Sequence, residues 1–221
     1  MTPRTLLAVR KTDLSALRRG SGGLAVVEPL PGSDRADLIN RLAHITNAGM
    51  QPLGHISLGY ATRPLAEIRN EISRWARLPV AGLFFDHAPA GPYQIGPVVS
   101  AIRAARRARL DPIVLNPGIA VDPAYRRLDA ILCTFDGPWS EYVALPAGRC
   151  RPGDGHLVYE VPAADLPRAR ELAATRGASL LLLSEQARPA FELPVAPWTG
   201  SDRRVVIGGQ RRPAQAANLT T

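Results

Sequence analysis

The chain has 221 residues, 46% of them apolar and 21% charged, which fits one soluble α/β domain with room for a substantial core and excludes wholesale disorder. Its formal charge of +8 comes from arginine, since Lys11 is the sole lysine; the arginines fall in short scattered clusters (Arg18-Arg19, 103–109, Arg203-Arg204), and with 5% aromatic residues no nucleic-acid module is recognisable. Cys133 and Cys150 make no disulfide framework, the N-terminal apolar run is too short for a signal peptide, and no run reaches bilayer length, so a cytoplasmic location is expected, with neither membrane nor nucleic acid as partner.

Residues 6–9 read as a first strand ending in Arg10-Lys11, with a weak helix over 13–19 behind it. Residues 24–27 form a second strand that ends in Glu28-Pro29. Ser33 or Asp34 is placed to cap a helix carrying Leu38, Ile39, Leu42 and Ile45 at helical spacing, and Gly49 to end it. A third strand is expected over 56–60. Thr62, as cap, and Pro64 then open a helix with the stripe Leu65, Ile68, Ile72 and Trp75. Residues 81–85 are a fourth strand, ending abruptly in Asp86-His87 before Pro89 and Gly91 break the backbone.

The helix over 94–108 places Ile95, Val98, Val99 and Ile102 on one face and leaves arginines at its end, where they complement the helix dipole. A fifth strand over 112–115 ends in Asn116-Pro117-Gly118, and a helical turn follows Asp122-Pro123. The sixth strand, 130–135, contains Cys133 as a small core residue and ends in Asp136-Gly137. The seventh, 157–159, ends in Glu160, and a helix over 165–176 is closed by Gly177. The eighth, 180–183, ends in Ser184-Glu185. Val205-Val206-Ile207 suggests one short strand more, and 210–221 reads as a frayed tail.

Eight strands alternating with helices at roughly 25 residues per unit predict a compact (β/α)8 TIM-type barrel over residues 1–200, with 201–221 as a C-terminal extension. The strands are almost wholly apolar, as strands buried on both faces should be. An open doubly wound sheet is the alternative, but the first strand–helix turn lacks a glycine-rich dinucleotide fingerprint.

In such a barrel every strand ends on one face, where active sites form. The ends here are Lys11, Glu28, Tyr60, Asp86 with His87, Asn116, Asp136, Glu160 and Glu185, a polar and acid-rich mouth over an apolar barrel. Paired carboxylates suit glycoside hydrolysis, in which one protonates the leaving oxygen and the other acts as nucleophile or base. Asp86 and Asp136, on strands four and six, are the candidate pair, with His87 as a modulating acid or base. Glu28, Asn116, Tyr159 and Glu185 are expected to line the pocket, and Tyr60, Tyr93, Trp139 and Trp198 to offer surfaces on which a sugar can stack.

Other chemistries have weaker support. A divalent ion on Asp86 and His87 lacks any recognised ligand spacing, and His44, on a helix, and His55, before a strand, are expected away from the mouth. The loops after strands seven and eight, Glu160-Val161-Pro162 and Glu185-Gln186-Ala187, are acidic and lack the glycines of a phosphate site. No nucleophile elbow is present. No cofactor is therefore expected, and the partner is a small-molecule or oligosaccharide substrate; nothing in the sequence speaks to oligomeric state. A lyase or isomerase using Asp86 and His87, or a non-catalytic carbohydrate-binding barrel, are the alternatives to hydrolysis.

Three segments, Gly59-Tyr60-Ala61-Thr62-Arg63-Pro64-Leu65, Ile72-Ser73-Arg74-Trp75 and Pro79-Val80-Ala81-Gly82-Leu83-Phe84-Phe85-Asp86, resemble the spherulin 4-like family (spherulation-specific family 4). Asn116-Pro117-Gly118, Tyr125, Asp129, Phe135-Asp136 and residues 157–162 continue the resemblance in the same order. It implies a (β/α)8 barrel related to glycoside hydrolases that cleave galactosaminogalactan-type polysaccharide. It also implies an Asp-Glu pair at the end of strand four and a glutamate at the end of strand six. Here those positions read Asp86-His87 and Phe135-Asp136, so one carboxylate is kept, one is replaced by an imidazole, and one is shorter by a methylene.

Overall fold

A computed structural model describes residues 3–9, 22–28, 34–146 and 148–187. Within them lie eight strands: β1 (Arg4–Val9), β2 (Leu24–Val27), β3 (Gln51–Ser57), β4 (Gly82–Asp86), β5 (Ile113–Leu115), β6 (Ile131–Pro138), β7 (Gly155–Tyr159) and β8 (Leu180–Leu183). Each pairs in parallel with the next, and β8 pairs with β1, so the sheet closes into a barrel. The helices α1 (Arg35–Asn47), α2 (Leu65–Trp75), α3 (Ile95–Arg107), α4 (Trp139–Ala144) and α5 (Leu166–Thr175) form the connections. None of the described helices is long and apolar enough to cross a membrane. Lys11, the helix expected over 13–19, Trp198, Arg203-Arg204, Val205-Val206-Ile207 and the C-terminal extension lie outside the described residues.

Strand periodicity divides the core in two. Alternate residues, among them Leu6, Val26, Leu53, Phe84, Val114 and Leu182, fill the barrel interior. Residues one step out of phase, including Val27, Ile56, Phe85 and Leu115, meet the apolar faces of α1, α2 and α3, and a third cluster lies under α4 and α5. Each fully buried Leu, Ile or Phe stabilises the fold by roughly 1.5–3 kcal/mol, which sets the register of every strand. The capping expected of Asp34 is present, its carboxylate accepting from Asp37 N at 2.8 Å. Gly49 follows α1 at φ +85°, the left-handed position that glycine occupies without penalty.

Several boundaries differ from the sequence reading. β3 spans Gln51–Ser57 rather than 56–60. Pro52 and Gly54 disguise its start, but Gly54 is needed there, because a Cβ would lie 2.3 Å from the Trp75 ring. Thr62 does not cap α2; its hydroxyl donates to Gly59 O at 2.6 Å, and the cap position is held by Pro64 with no side-chain bond. β6 runs on to Pro138, so Asp136 lies inside the strand, and the short helix α4 was not foreseen.

Candidate active site at the barrel mouth

The inward phase that carries Val26, Leu53, Phe84 and Val114 continues by one step into Glu28, His55, Asp86 and Asn116. The register pairs Val27 with Gly54 and Ser57 with Asp86, so these polar residues sit together at the C-terminal end of the strands. Asp136 reaches the same layer by a different route. The β6–β7 register shifts between Cys133 and Phe135. Such an irregularity adds a residue and changes which side chain points inward. Phe135 consequently packs in the outer cluster while Asp136 turns to the mouth.

Asn116 ties the two aspartates together. Its Nδ2 donates to Asp86 Oδ1 at 2.9 Å and to Asp136 Oδ2 at 2.7 Å. The two acceptor oxygens share one nitrogen and are therefore less than about 6 Å apart. Asp86 is 2% exposed and also accepts from His87 N at 2.8 Å. Its Oδ2 faces His55 Nε2 at 3.4 Å, and the other ring nitrogen of His55 contacts Glu28 Oε1 at 2.9 Å. Burial alone would raise the Asp86 pKa, but the His55 hydrogen bond and charge, with the His87 charge and backbone N–H, hold it below the usual carboxylate range. Burial likewise opposes the charge on His55, yet its two carboxylate partners lift it to about 9.

His87 follows the carboxylate on a left-handed backbone, φ +49°, a conformation that costs a non-glycine residue roughly 1–2 kcal/mol. The neighbouring loop compensates: Tyr60 N donates to His87 O at 2.7 Å, and Ser57 Oγ lies 3.0 Å from His87 Nδ1. That loop is strained too, with Tyr60 and Ala61 both at positive φ. Left-handed residues concentrated on two adjacent loops beside a buried carboxylate are the pattern expected where backbone strain serves a site. The His87 side chain is 38% exposed, and the Tyr60 ring lies 5.2 Å from it.

Tyr159 stands buried with the inward-facing residues at the C-terminal end of β7, and the other remaining candidates are dispersed. Glu185 is exposed beyond β8, and Tyr93 is 98% exposed. Trp139 is a correction: it opens α4, packs in the outer core at 7% exposure and donates to Asp165 Oδ2 at 3.3 Å, so it offers no stacking face at the mouth. His55 is a second correction, since it stands in the polar layer rather than away from it. The spacing Leu53, His55, Ser57 carried the signal, an inward-facing alternation hidden by the misplaced start of β3. Among the described residues no group of three or more His, Cys, Asp or Glu side chains is arranged to hold a metal ion.

The sequence pattern of spherulation-specific family 4 matches residues 21–175, most of the barrel and every residue of the polar layer. The chain belongs to spherulation-specific family 4. No curated protein matches it. Among solved structures this family 4 chain is similar to the crystal structure of Aspergillus clavatus Sph3 in complex with GalNAc, with a TM-score of 0.67 and 17% sequence identity over 87% of this chain and 93% of that one. At that identity the likeness shows the fold, a (β/α)8 barrel in both.

Proposed function

We propose that this family 4 barrel is a glycoside-hydrolase-like enzyme that cleaves a glycosidic bond in an amino-sugar-containing glycan or a small glycoside. One observation carries the reading: Asp86 and Asp136 converge on Asn116 Nδ2 at 2.9 and 2.7 Å. Carboxylates this close suit double displacement with retention, for which the two groups stand about 5–5.5 Å apart, better than inversion, which needs room for a water between them. In this reading Asp86, kept ionised, is the nucleophile or the stabiliser of the oxocarbenium-like centre. Asp136 and His87 handle the proton on the leaving oxygen and then on the attacking water. His87 suits that part because Ser57 engages Nδ1, leaving Nε2 for substrate, and because an imidazole nitrogen can either give or take a proton. That Sph3, of the same fold, binds GalNAc supports an amino sugar as the ligand.

A second reading, a carbohydrate-binding barrel without turnover, is favoured by how completely Asp86 is engaged, its oxygens held by His55, His87 N and Asn116. A screen of the protein against amino-sugar oligosaccharides and aryl glycosides separates the two, with calorimetry on the same ligands. Release of a reducing sugar or phenol is expected. Binding without release would replace the first reading with the second.

A further inference from the structure

His55 has a chemistry distinct from that of His87. Its two ring nitrogens both face carboxylate oxygens, Nδ1 towards Glu28 at 2.9 Å and Nε2 towards Asp86 at 3.4 Å. Ionised carboxylates only accept hydrogen bonds, and a neutral imidazole can donate from one nitrogen alone. Both contacts are satisfied together only by the doubly protonated ring. The ring is also fixed in place: His55 O accepts from Trp75 Nε1 at 3.1 Å, and the imidazole stacks on Phe84 with centroids 6.2 Å apart.

The charge balance of the mouth needs such a cation. The titratable groups facing Asp86 are His55 from β3, His87 from the loop after β4, and Asp136 and Cys133 from β6; Asn116, just after β5, faces it uncharged. Those facing His55 are Glu28, just after β2, and Asp86 from β4. Neighbouring carboxylates each disfavour the other's ionisation, and burial disfavours it further, so Asp86 without a close cation would hold its proton to a higher pH. A protonated Asp86 could neither attack an anomeric carbon nor stabilise positive charge there.

We infer that His55 is a positioning residue: its imidazolium, bridging Glu28 and Asp86, keeps Asp86 ionised and in one rotamer and exchanges no proton with substrate. The inference rests on the hydrolytic reading for its purpose, but its test does not. In nitrogen-15 spectra of the wild-type protein, both His55 ring nitrogens should carry protons at pH 7.5. Removing either anion, by Asp86→Asn or Glu28→Gln, should bring the His55 titration down by about one unit or more. In carbon-13 spectra, Asp86 should titrate below the usual carboxylate range in the wild type and about one unit or more higher in His55→Asn. A neutral His55 at pH 7.5 in the wild type, a reading that requires no variant to fold, would overturn the inference, as would an Asp86 titration unmoved in His55→Asn. Where turnover is found, His55→Asn should lift the acid limb of the kcat profile by the same shift and leave KM nearly unchanged, an outcome that a merely structural residue would not give. Absence of turnover in the wild type counts against the hydrolytic reading and leaves the spectroscopic results to decide on His55.

Discussion

Replacing Asn116 by aspartate changes one donor into an acceptor without altering shape, and so isolates what holds the two carboxylates together. Asn116 is 1% exposed and its Nδ2 makes two hydrogen bonds to carboxylates, at 2.9 and 2.7 Å. Bonds to charged acceptors contribute about 1.5–3 kcal/mol each, so losing both costs about 3–6 kcal/mol. The variant can escape part of this by keeping a proton on its carboxyl in the folded state. Holding that proton from pH 4 to pH 7, three units above the ordinary aspartate value, costs about 4 kcal/mol, which falls in the same range. A protonated carboxyl donates one hydrogen bond where the amide donates two, so one bond, about 1.5–3 kcal/mol, is lost at any pH. With the folded pKa raised, the further cost of holding the proton is small near pH 4, where the unfolded chain is largely protonated too, and grows as pH rises. Urea unfolding of wild type and Asn116→Asp should therefore differ by about 2 kcal/mol at pH 4 and by about 5 kcal/mol at pH 7. An equal difference at both pH values, or one below about 1 kcal/mol at pH 7, would refute the reasoning.

Two histidines give stability an optimum. His55, raised to about 9, contributes fully below its unfolded value of 6.5 and loses that contribution as pH rises towards 9; His156, pushed by burial down to about 4, loses its contribution as pH falls from 6.5 towards 4. Each limb is worth about 3 kcal/mol, so thermal unfolding across pH 4–9 should show a maximum near 6.5 that flattens above it in His55→Gln. Arg126 donates to both Asp154 oxygens, at 2.6 and 3.0 Å, and Arg126→Met should cost about 3–5 kcal/mol by chemical denaturation because it leaves a buried carboxylate with the Thr134 hydroxyl but without its counter-charge. Gly54→Ala should cost more than about 2 kcal/mol by the same assay and change the Trp75 fluorescence, since the new methyl meets the indole.

The barrel itself was legible because eight apolar runs alternate with helical stripes, and each run must be buried on both faces. Asp86, Asn116 and Glu28 were legible for a related reason: each follows an apolar strand where a buried carboxylate or amide needs partners. Four things were hidden. His55 was missed because Pro52 and Gly54 broke the appearance of a strand whose inward alternation places the imidazole at the mouth. The inward aim of Asp136 depends on a one-residue irregularity in β6 that no spacing rule reveals, since regular alternation would have sent Phe135 inward instead. Trp139 was one of four aromatics expected to offer a stacking surface, whereas the turn into α4 carries it to the outer core. The positive φ angles of Tyr60, Ala61 and His87 were likewise invisible, as these residue types give no hint of a left-handed backbone.

The central claim is that Asp86 and Asp136 form one hydrolytic centre at the mouth of the barrel. It is tested most directly by the rate of aryl glycoside hydrolysis in the wild type, Asp86→Asn and Asp136→Asn, at the wild-type pH optimum and with folding checked by circular dichroism. Both substitutions keep shape and remove the ability to ionise, and each is predicted to lower kcat by about 10²–10⁴-fold. Full activity in either folded variant would contradict the account.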